Sequence, residues 1–515
     1  MLAKVFSACN FGIDSYPVDV EVDIANGMPV FSIVGLGDAS VQEARERVRS
    51  AIRNSNFEFP QNRKTVNLAP ADLRKKGSIF DLPIAIGILF ASGQIRLHSN
   101  LKNTFKEGIF IGELALNGDV KKIDGALAIT EFVKRNGYKK IYLPYENFAE
   151  ASLISDIEIV PVNSLKQIVE YFKTGKNNSH GFAETGELES MPWPDRAENN
   201  SNDFQYIHGQ DFAKRALQIS IAGGHNLLMI GPPGCGKTML ANAVKSILPE
   251  MDFDESIDVT KIYSVAGMLK KGEFIMKKRP FREIHHTASP ISILGGGQNI
   301  MPGEISLAHR GVLFFDELTL FPQSVIENLR QPLESGHITI SRTKYKTSYP
   351  SDFIFIGAMN PCSCGYLGDE KRVCICTDTQ IKTYKNKISG PFLDRMDLIV
   401  NMKKAQNPAA KSAKKSATKS DFSEIYDSIK TAREKQKARF GKSMLNKNIS
   451  VSYLEKFCEL DKECRDFLKS ATSKLNISMR TYHKIIKVSR TIADLQNSDK
   501  INYSHLAEAM QYRGC

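Results

Sequence analysis

The sequence predicts a multidomain α/β protein whose central domain is built on a parallel β-sheet. An apolar run at 226–230 leads into a glycine-rich segment, and an apolar helical pattern follows over 239–244. Two further apolar runs, at 311–315 and 353–359, each end on polar residues. Uninterrupted apolar runs are typical of parallel strands that are buried on both faces. The 515 residues leave room for about three domains, each able to bury its own core.

Residues 231–238 read GPPGCGKT and match the phosphate-loop pattern G-x-x-x-x-G-K-T. Such a loop closes backbone N–H groups around phosphate, its lysine reaches the outer phosphates, and its hydroxyl residue is a ligand of Mg²⁺. A plain glycine-proline turn before a core helix is the alternative, and the flanking strand and helix patterns disfavour it. The predicted ATP-binding residues of this segment are Gly231, Pro232, Pro233, Gly234, Cys235, Gly236, Lys237, Thr238 and Met239.

The two later strands supply candidate catalytic residues. Asp316 and Glu317 follow the second strand; Asp316 is predicted to hold Mg²⁺ together with Thr238, and Glu317 to polarise the attacking water. Asn360 follows the third strand, where its amide can orient the same water. An ordinary strand end with two solvated acids is the alternative for Asp316 and Glu317. Downstream of a phosphate loop, that alternative is the weaker one.

Two arginines in the second half of the chain are candidates for phosphate contacts. Arg395 lies in the segment SGPFLDRMD, where it could reach the nucleotide of a neighbouring subunit. Arg480 opens a late predicted helix. Either side chain could instead form a surface salt bridge, which is the usual environment of an arginine.

Four of the nine cysteines form two C-x-C pairs, Cys362 with Cys364 and Cys374 with Cys376. Four thiolates in two such pairs can complete the tetrahedral shell of a structural Zn²⁺. Disulfides are disfavoured in a reducing cytoplasm. Free cysteines in a loop are the remaining alternative. The pattern therefore predicts a zinc site directly after Asn360.

The set of motifs resembles an AAA+ ATPase of the helix-2-insert group. The phrases HHTAS at 285–289, PGEISLAH at 302–309, AMNPC at 358–362 and RTIADL at 490–495 are similar to the Mg-chelatase-like family called YifB or ComM. The resemblance implies a sensor role for Asn360, a finger role for Arg395 and a second sensor role for Arg480. It also places Gly209 and Gln210 in the segment that packs on adenine.

The resemblance implies a function as well. It predicts an ATP- and Mg²⁺-dependent ring, a hexamer by analogy, that acts on single-stranded or branched DNA and drives branch migration in natural transformation. The alternative is a chelatase-like ATPase that remodels a protein partner or assists metal insertion.

Residues 1–173 are predicted to form a separate α+β domain, with helices at 39–54 and 79–92, that resembles the C-terminal domain of Lon protease. The segment IGELALNGDV at 111–120 carries much of the similarity. Proteolysis of the Lon type needs a serine nucleophile and a lysine base, and Ile79 and Leu127 stand at those positions. Ser78 is a neighbouring hydroxyl without an activating base. The sequence therefore predicts a non-catalytic domain.

The rest of the chain divides by composition. A linker is predicted at 174–203, where the only tryptophan, Trp193, lies, and the ATPase core at 204–402. A lysine-rich tether is predicted at 403–420 and a helical lid domain at 421–515.

Charge and composition suggest the kind of partner. The formal net charge of +12 and the pI near 9.0 favour an anionic polymer such as DNA. Candidate contacts are the glycine-rich segment 294–299 and the basic segment 342–346, which contains Lys344, Tyr345 and Lys346; a plain surface hairpin is the alternative. No apolar run approaches the ~20 residues of a membrane span, and the N-terminus lacks a signal-peptide pattern. These features predict a cytoplasmic protein without a membrane partner.

Overall fold

A computed structural model describes residues 2–35, 37–71, 75, 77–101, 103–175, 204, 207, 209–270, 272–297, 300–342, 345–404, 419–475 and 477–513. Several predicted features lie outside these residues: Trp193 with most of the linker, residues 405–418 of the lysine-rich tether, and Lys344. Contacts divide the chain into two compact units. One comprises Met1–Asp195, Ser256–Met276 and Ser341–Thr347; the other comprises Arg196–Glu255, Lys277–Ile340 and Ser348–Cys515.

The first unit contains a seven-stranded mixed sheet in the order β3-β4-β2-β1-β5-β8-β9, and β6 pairs with β7 beside it. Its strands are β1 (Leu2–Phe11), β2 (Asp14–Ala25), β3 (Phe31–Val34), β4 (Arg63–Ala69), β5 (Gly108–Phe110), β6 (Glu113–Leu114), β7 (Val120–Lys121), β8 (Lys140–Pro144) and β9 (Glu158–Val162). β1 and β2 are antiparallel, whereas β5, β8 and β9 run parallel. Alternating burial along β2 and β4 explains the alternating sequence pattern of these strands.

The described helices beside this sheet are α1 (Ala39–Asn54), α2 (Asp81–Ala91), α3 (Thr104–Glu107), α4 (Ala126–Arg135), α5 (Phe148–Ala151) and α6 (Leu165–Thr174). Short 3₁₀ turns lie at Ser99–Leu101 and Tyr145–Asn147. The sequence predicts α1 with the observed bounds, and Asp38 caps it by accepting a hydrogen bond from the N–H of Val41. Helix α2 begins at Asp81 rather than at Ile79, because residues 77–80 form a bend and turn before it.

The second unit contains a five-stranded parallel sheet. Its strands are β10 (Leu227–Ile230), β11 (Phe281–Ile284), β14 (Val312–Phe315), β17 (Ile354–Met359) and β18 (Leu398–Asn401), and their order is β11-β14-β17-β10-β18. Every residue of β14 and β17 is buried. Burial on both faces is expected for continuous apolar runs in a parallel sheet.

Helices of the core and its insertions connect the strands: α7 (Asp211–Gly223), α8 (Lys237–Ile247), α9 (Phe253–Val265), α10 (Pro290–Leu294), α11 (Glu304–Leu307), α12 (Gln323–Asn328), α13 (Arg330–Ser335), α14 (Asp378–Lys385) and α15 (Gly390–Leu393). Leu318–Leu320 forms a 3₁₀ turn. Most of α9 belongs to the first unit, where Lys261 pairs with Glu131 and Ser264 donates a hydrogen bond to Glu150.

Both segments that the sequence singles out as candidate DNA contacts contain paired short strands. β12 (Gly295–Gly296) pairs with β13 (Met301–Pro302), and β15 (His337–Arg342) pairs with β16 (Tyr345–Pro350). Lys346 on β16 has an exposed side chain.

The C-terminal part is helical, as the sequence predicts. It consists of α16 (Lys419–Phe440), a 3₁₀ turn at Asn446–Asn448, α17 (Val451–Phe457), α18 (Lys462–Leu475), α19 (Met479–Leu495) and α20 (Tyr503–Gln511). Ser478 caps α19 by accepting a hydrogen bond from the N–H of Thr481. Among the described helices of the whole chain, none is long and apolar enough to cross a membrane.

Candidate nucleotide site and cysteine cluster

The phosphate loop joins the buried strand β10 to helix α8. Gly234 and Gly236 have φ angles of +75° and +93°, in the left-handed region that favours glycine. Gly231 is required for a different reason: a Cβ there would lie 2.8 Å from the carbonyl oxygen of Met402 and 2.9 Å from the sulfur of Cys235. The loop therefore has the backbone that a phosphate-binding turn needs, and α8 begins at Lys237.

Lys237 connects this loop to the end of the neighbouring strand β17. Its amine donates hydrogen bonds to the carbonyl oxygens of Gly231 at 2.7 Å and Pro232 at 3.1 Å, and to Oδ1 of Asn360 at 3.1 Å. Burial lowers the pKa of this amine below its ordinary value. The structure thus brings together the residue predicted to contact the outer phosphates and the predicted sensor.

Thr238 and Asp316 meet on the other side of the loop. The Thr238 hydroxyl donates to Oδ2 of Asp316 at 2.7 Å, and Oδ1 of Asp316 accepts from the backbone N–H of Glu317 at 2.8 Å. A hydroxyl and a carboxylate that face each other fit a Mg²⁺ ion that is also held by phosphate oxygens. The donor set and the loop therefore fit a magnesium nucleotide.

Glu317 lines a cavity beside Asp316. The backbone of Glu317 is left-handed, with φ of +49°, and its side chain is 54% exposed. The cavity measures about 370 Å³, and its lining residues are Glu283, Ile284, His285, His286, Asp316 and Glu317. Nδ1 of His286 lies 4.0 Å from Oε2 of Glu317.

His286 is a site residue for which the sequence alone predicts no chemical role. It lies in the phrase HHTAS, which carries only a family resemblance. A positional signal is nevertheless present, because His286 comes after strand β11, and β11 is the parallel neighbour of β14, which ends just before Asp316. Residues that succeed adjacent parallel strands meet at one edge of the sheet.

Gln210 lies against the phosphate loop. Its side-chain amide donates to the carbonyl oxygen of Cys235 at 3.2 Å and to that of Lys403 at 2.5 Å. Gly209 and Gln210 both have positive φ, at +70° and +59°. This position suits the adenine-side contact that the family resemblance implies. Cys235 is buried, and Met239 is exposed at the start of α8.

Arg395 and Arg480 lie together, apart from the phosphate loop. Both contact Glu334: Arg395 donates to Oε2, and Nη2 of Arg480 lies 3.6 Å from Oε1. In the described part of the chain, no hydrogen bond or ion pair joins either arginine to Lys237, Thr238 or Asp316.

The four cysteines of the C-x-C pairs come together. All four sulfur atoms lie within 4.8 Å of one another. The sulfur of Cys362 is 3.4 Å from that of Cys364 and 3.7 Å from that of Cys374. Sulfurs bound at about 2.3 Å to one tetrahedral Zn²⁺ are spaced by about 3.8 Å, so the cluster fits such an ion.

The cysteine cluster also contacts the phosphate loop. Gly365, in the turn after Cys364, lies so close to Pro233 that an added Cβ would come within 2.8 Å of its Cδ. Gly365 has a φ of +83°. Cys362 is two residues from Asn360 in the sequence. The turn that follows Cys364 therefore packs against the phosphate loop and lies near the predicted sensor.

The positions predicted to have lost Lon-type catalysis are buried in the first unit. Ile79 and Leu127 both contribute to its core, and the backbone N–H of Leu127 donates to Oε1 of Glu150 at 3.0 Å. The Ser78 hydroxyl donates a hydrogen bond to the Glu113 carboxylate.

The five-stranded parallel sheet, the phosphate loop and the residues at its edge define the fold of an AAA+ P-loop ATPase. Family models support this. A model described as magnesium chelatase, subunit ChlI, matches residues 203–410; one described as subunit ChlI of Mg-chelatase matches 20–147; and the corresponding C-terminal model matches 419–513.

Comparison with individual proteins narrows the family. The chain is 41% identical over 514 residues to competence protein ComM of Haemophilus influenzae, covering 99% of this chain and 97% of ComM. It is 39% identical to the uncharacterized protein YifB of Escherichia coli, with the same coverage. Similarity to the chloroplastic magnesium-chelatase subunit ChlI of Chlamydomonas reinhardtii, at 28% identity, covers 31% of this chain and 43% of that subunit. The chain belongs to the ComM/YifB family of Mg-chelatase-like AAA+ ATPases.

Proposed function

We propose that this protein is an ATP-hydrolysing, ring-forming motor that acts on DNA and drives branch migration during recombination, including natural transformation. The observation that carries the ATPase part is the contact of Thr238 with Asp316 beside Lys237. The full-length similarity to a relative named competence protein ComM supports the DNA part.

Each residue of the nucleotide site has a proposed task. The phosphate loop and Lys237 bind the triphosphate, and Thr238 and Asp316 hold Mg²⁺, which when bound neutralises charge on the phosphates. Glu317 accepts a proton from the attacking water, and Asn360 orients that water. Gly209 and Gln210 form part of the adenine side. The zinc ion proposed for the four cysteines has a structural task, because the loop that carries them supports Pro233.

A ring is proposed because, among the described residues, neither predicted phosphate-contacting arginine contacts the phosphate loop of its own chain. Arg395 and Arg480 lie on Glu334 rather than at the phosphate loop of their own chain. AAA+ proteins usually form oligomers, and a hexamer places the arginines of each subunit beside the nucleotide of the next. An arginine supplied by a neighbour stabilises the charge that develops on the transferred phosphoryl group.

DNA contacts are proposed on the basic insertion at 342–346. Lys346 is exposed on β16, and Tyr345 is its neighbour on the same strand. Lysine binds phosphate, and an aromatic ring can stack on a base, so the pair suits a single-stranded or branched polymer. The net charge of +12 favours the same partner. The glycine-rich segment 294–299 is a second candidate.

A chelatase-like ATPase that remodels a protein or assists metal insertion is the second candidate function. It is favoured by one observation: the three family models are named after a magnesium chelatase subunit. We do not assign peptidase activity, because buried Ile79 and Leu127 stand where the nucleophile and base would be.

DNA binding of two double variants tests the DNA part. Lys344→Ala with Lys346→Ala should weaken binding to forked DNA and abolish DNA-stimulated ATP turnover, while basal turnover stays intact. Lys462→Ala with Lys469→Ala, which removes two lysines from α18 in the lid, is the charge-matched control. Wild-type affinity should fall steeply with salt because bound counterions are released. If the two double variants have equal effects, the insertion at 342–346 is not part of the proposed DNA interface.

A further inference from the structure

One contact in the second unit that the proposed residue tasks do not explain is a carboxylate shared by two arginines. Glu334 lies on α13, Arg395 comes after α15, and Arg480 is the second residue of α19. Oε2 of Glu334 accepts a hydrogen bond from Nη2 of Arg395, and its Oε1 lies 3.6 Å from Nη2 of Arg480. One side chain therefore joins three elements that are far apart in the sequence.

The guanidinium of Arg395 is held on three sides. Its Nε donates to the carbonyl oxygen of Arg330 at 3.2 Å, and its Nη1 donates to that of Pro391 at 2.7 Å. Glu334 supplies the third acceptor, and it is the one charged acceptor of the three. The Arg395 side chain is 10% exposed, so its orientation is fixed by these contacts. A fixed guanidinium loses less conformational entropy when it meets a phosphate.

Arg480 is held more loosely. Its side chain is 43% exposed, whereas that of Arg395 is 10% exposed. The Glu334 side chain between them is 56% exposed. The hydrogen bond from Arg395 is the main cause that keeps the pKa of Glu334 below its ordinary value. At neutral pH the Glu334 carboxylate is thus an anion between two arginine cations. A phosphate bound by both arginines would likewise lie between the two cations.

We propose that Glu334 is a positioning residue for ATP hydrolysis: it holds Arg395 and Arg480 as a pair, so that both arginines contact the same phosphate. The inference rests on the proposed roles of these two arginines. Glu334 belongs to none of the sequence motifs that predict the nucleotide site. In this arrangement a shift of the lid helix α19 moves Arg480, and through Glu334 the shift reaches Arg395.

Steady-state kinetics of Glu334→Gln tests the proposal. The substitution keeps the shape of the side chain and removes its charge. It should lower kcat roughly tenfold while KM for ATP stays within about twofold, because misplaced transition-state contacts reduce kcat and not ground-state binding. Glu334→Asp, which keeps the charge, should recover part of the loss. The matched control is Glu508→Gln: this carboxylate pairs with Arg215 at 2.8 Å and should leave kcat unchanged.

Combination with the arginine variants separates this inference from the proposed function. Arg395→Ala and Arg480→Ala should each lower kcat, and Glu334→Gln added to Arg395→Ala should change it by less than about twofold, because groups that act as a unit are not additive. Wild-type kcat in Glu334→Gln, together with a loss in Arg395→Ala, would overturn the role of Glu334 alone. Wild-type kcat in both arginine variants would overturn the arginine roles and this inference with them.

Folding of the variants is checked by thermal unfolding. The Glu334 side chain is 56% exposed, and the amide oxygen of glutamine can still accept the hydrogen bond from Arg395, so the Tm of Glu334→Gln should lie close to that of the wild type. If Glu334→Gln does not fold, Glu334→Asp carries the test: its shorter side chain should retain part of the loss in kcat, and wild-type kcat in that variant would overturn the proposal.

Discussion

The side-chain nitrogen of Lys237 lies 3.1 Å from the side-chain oxygen of Asn360, although 123 residues separate them in the sequence. This contact exists because β10 and β17 are adjacent parallel strands, so that the segments after the two strands meet at one edge of the sheet. It links the phosphate loop to the proposed sensor.

Two substitutions should separate ATP binding from hydrolysis. Lys237→Ala removes the positive side chain of the loop and should abolish tight ATP binding, measured by calorimetry. Glu317→Gln should bind ATP normally and lower its hydrolysis by about a hundredfold or more, because the water loses its base. Lys245→Ala, on the same helix α8, is the control and should behave as wild type. Normal turnover in either site variant would contradict the assignment of the site.

Mg²⁺ dependence should shift when Asp316 is neutralised. In Asp316→Asn, the Mg²⁺ concentration that gives half-maximal turnover should rise by roughly tenfold or more, since a charged oxygen ligand is lost. Glu283→Gln neutralises another acid of the same cavity and should leave the Mg²⁺ requirement unchanged. An identical shift in the two variants would mean that cavity charge, rather than ligation by Asp316, sets the requirement.

Zinc content tests the cysteine cluster. Purified protein should contain about one zinc ion per chain, because four thiolates complete one tetrahedral shell. Cys374→Ser should lose the ion and lower ATP turnover, since the turn that follows Cys364 packs against Pro233 and lies near Asn360. Cys458→Ala, a buried cysteine outside the cluster, should retain zinc. A stable, zinc-free preparation with full activity would rule out the site.

Acid should destabilise the fold through His225. This histidine is fully buried, and its Nε2 is 2.8 Å from the Thr491 hydroxyl; burial lowers its pKa to about 4. The unfolded chain binds the proton below a pKa of about 6.5, so the stabilisation is complete above that value and is lost as the pH falls towards 4. Between pH 7 and pH 5, His225→Gln should lose about 2 kcal/mol less unfolding free energy than the wild type. Equal losses in urea titrations followed by circular dichroism would contradict this.

Much of the central fold is predictable because its signals are local. The runs at 311–315 and 353–359 coincide closely with β14 (Val312–Phe315) and β17 (Ile354–Met359), since strands buried on both faces need continuous apolar sequence. The four cysteines are equally visible, because metal ligands of this type come in closely spaced pairs.

The remaining features depend on tertiary contacts. Glu334 and Arg395 are 61 residues apart, and an exposed glutamate on a short helix has no periodic signal that distinguishes it from others. The proximity of His286 to Glu317 depends on the strand order β11-β14-β17, which cannot be predicted from a single sequence. The grouping of Ser256–Met276 with the first unit likewise depends on pairs such as Lys261 with Glu131.

Branch migration of a labelled four-way DNA junction is the most direct test of the proposed function. With ATP and Mg²⁺, the wild-type protein should convert the junction into duplex products, and Glu317→Gln should bind the junction without converting it. The junction should also accelerate ATP turnover by the wild-type protein. If active wild-type enzyme neither converts the junction nor hydrolyses ATP faster in its presence, the DNA-motor function is contradicted and the chelatase-like alternative takes its place.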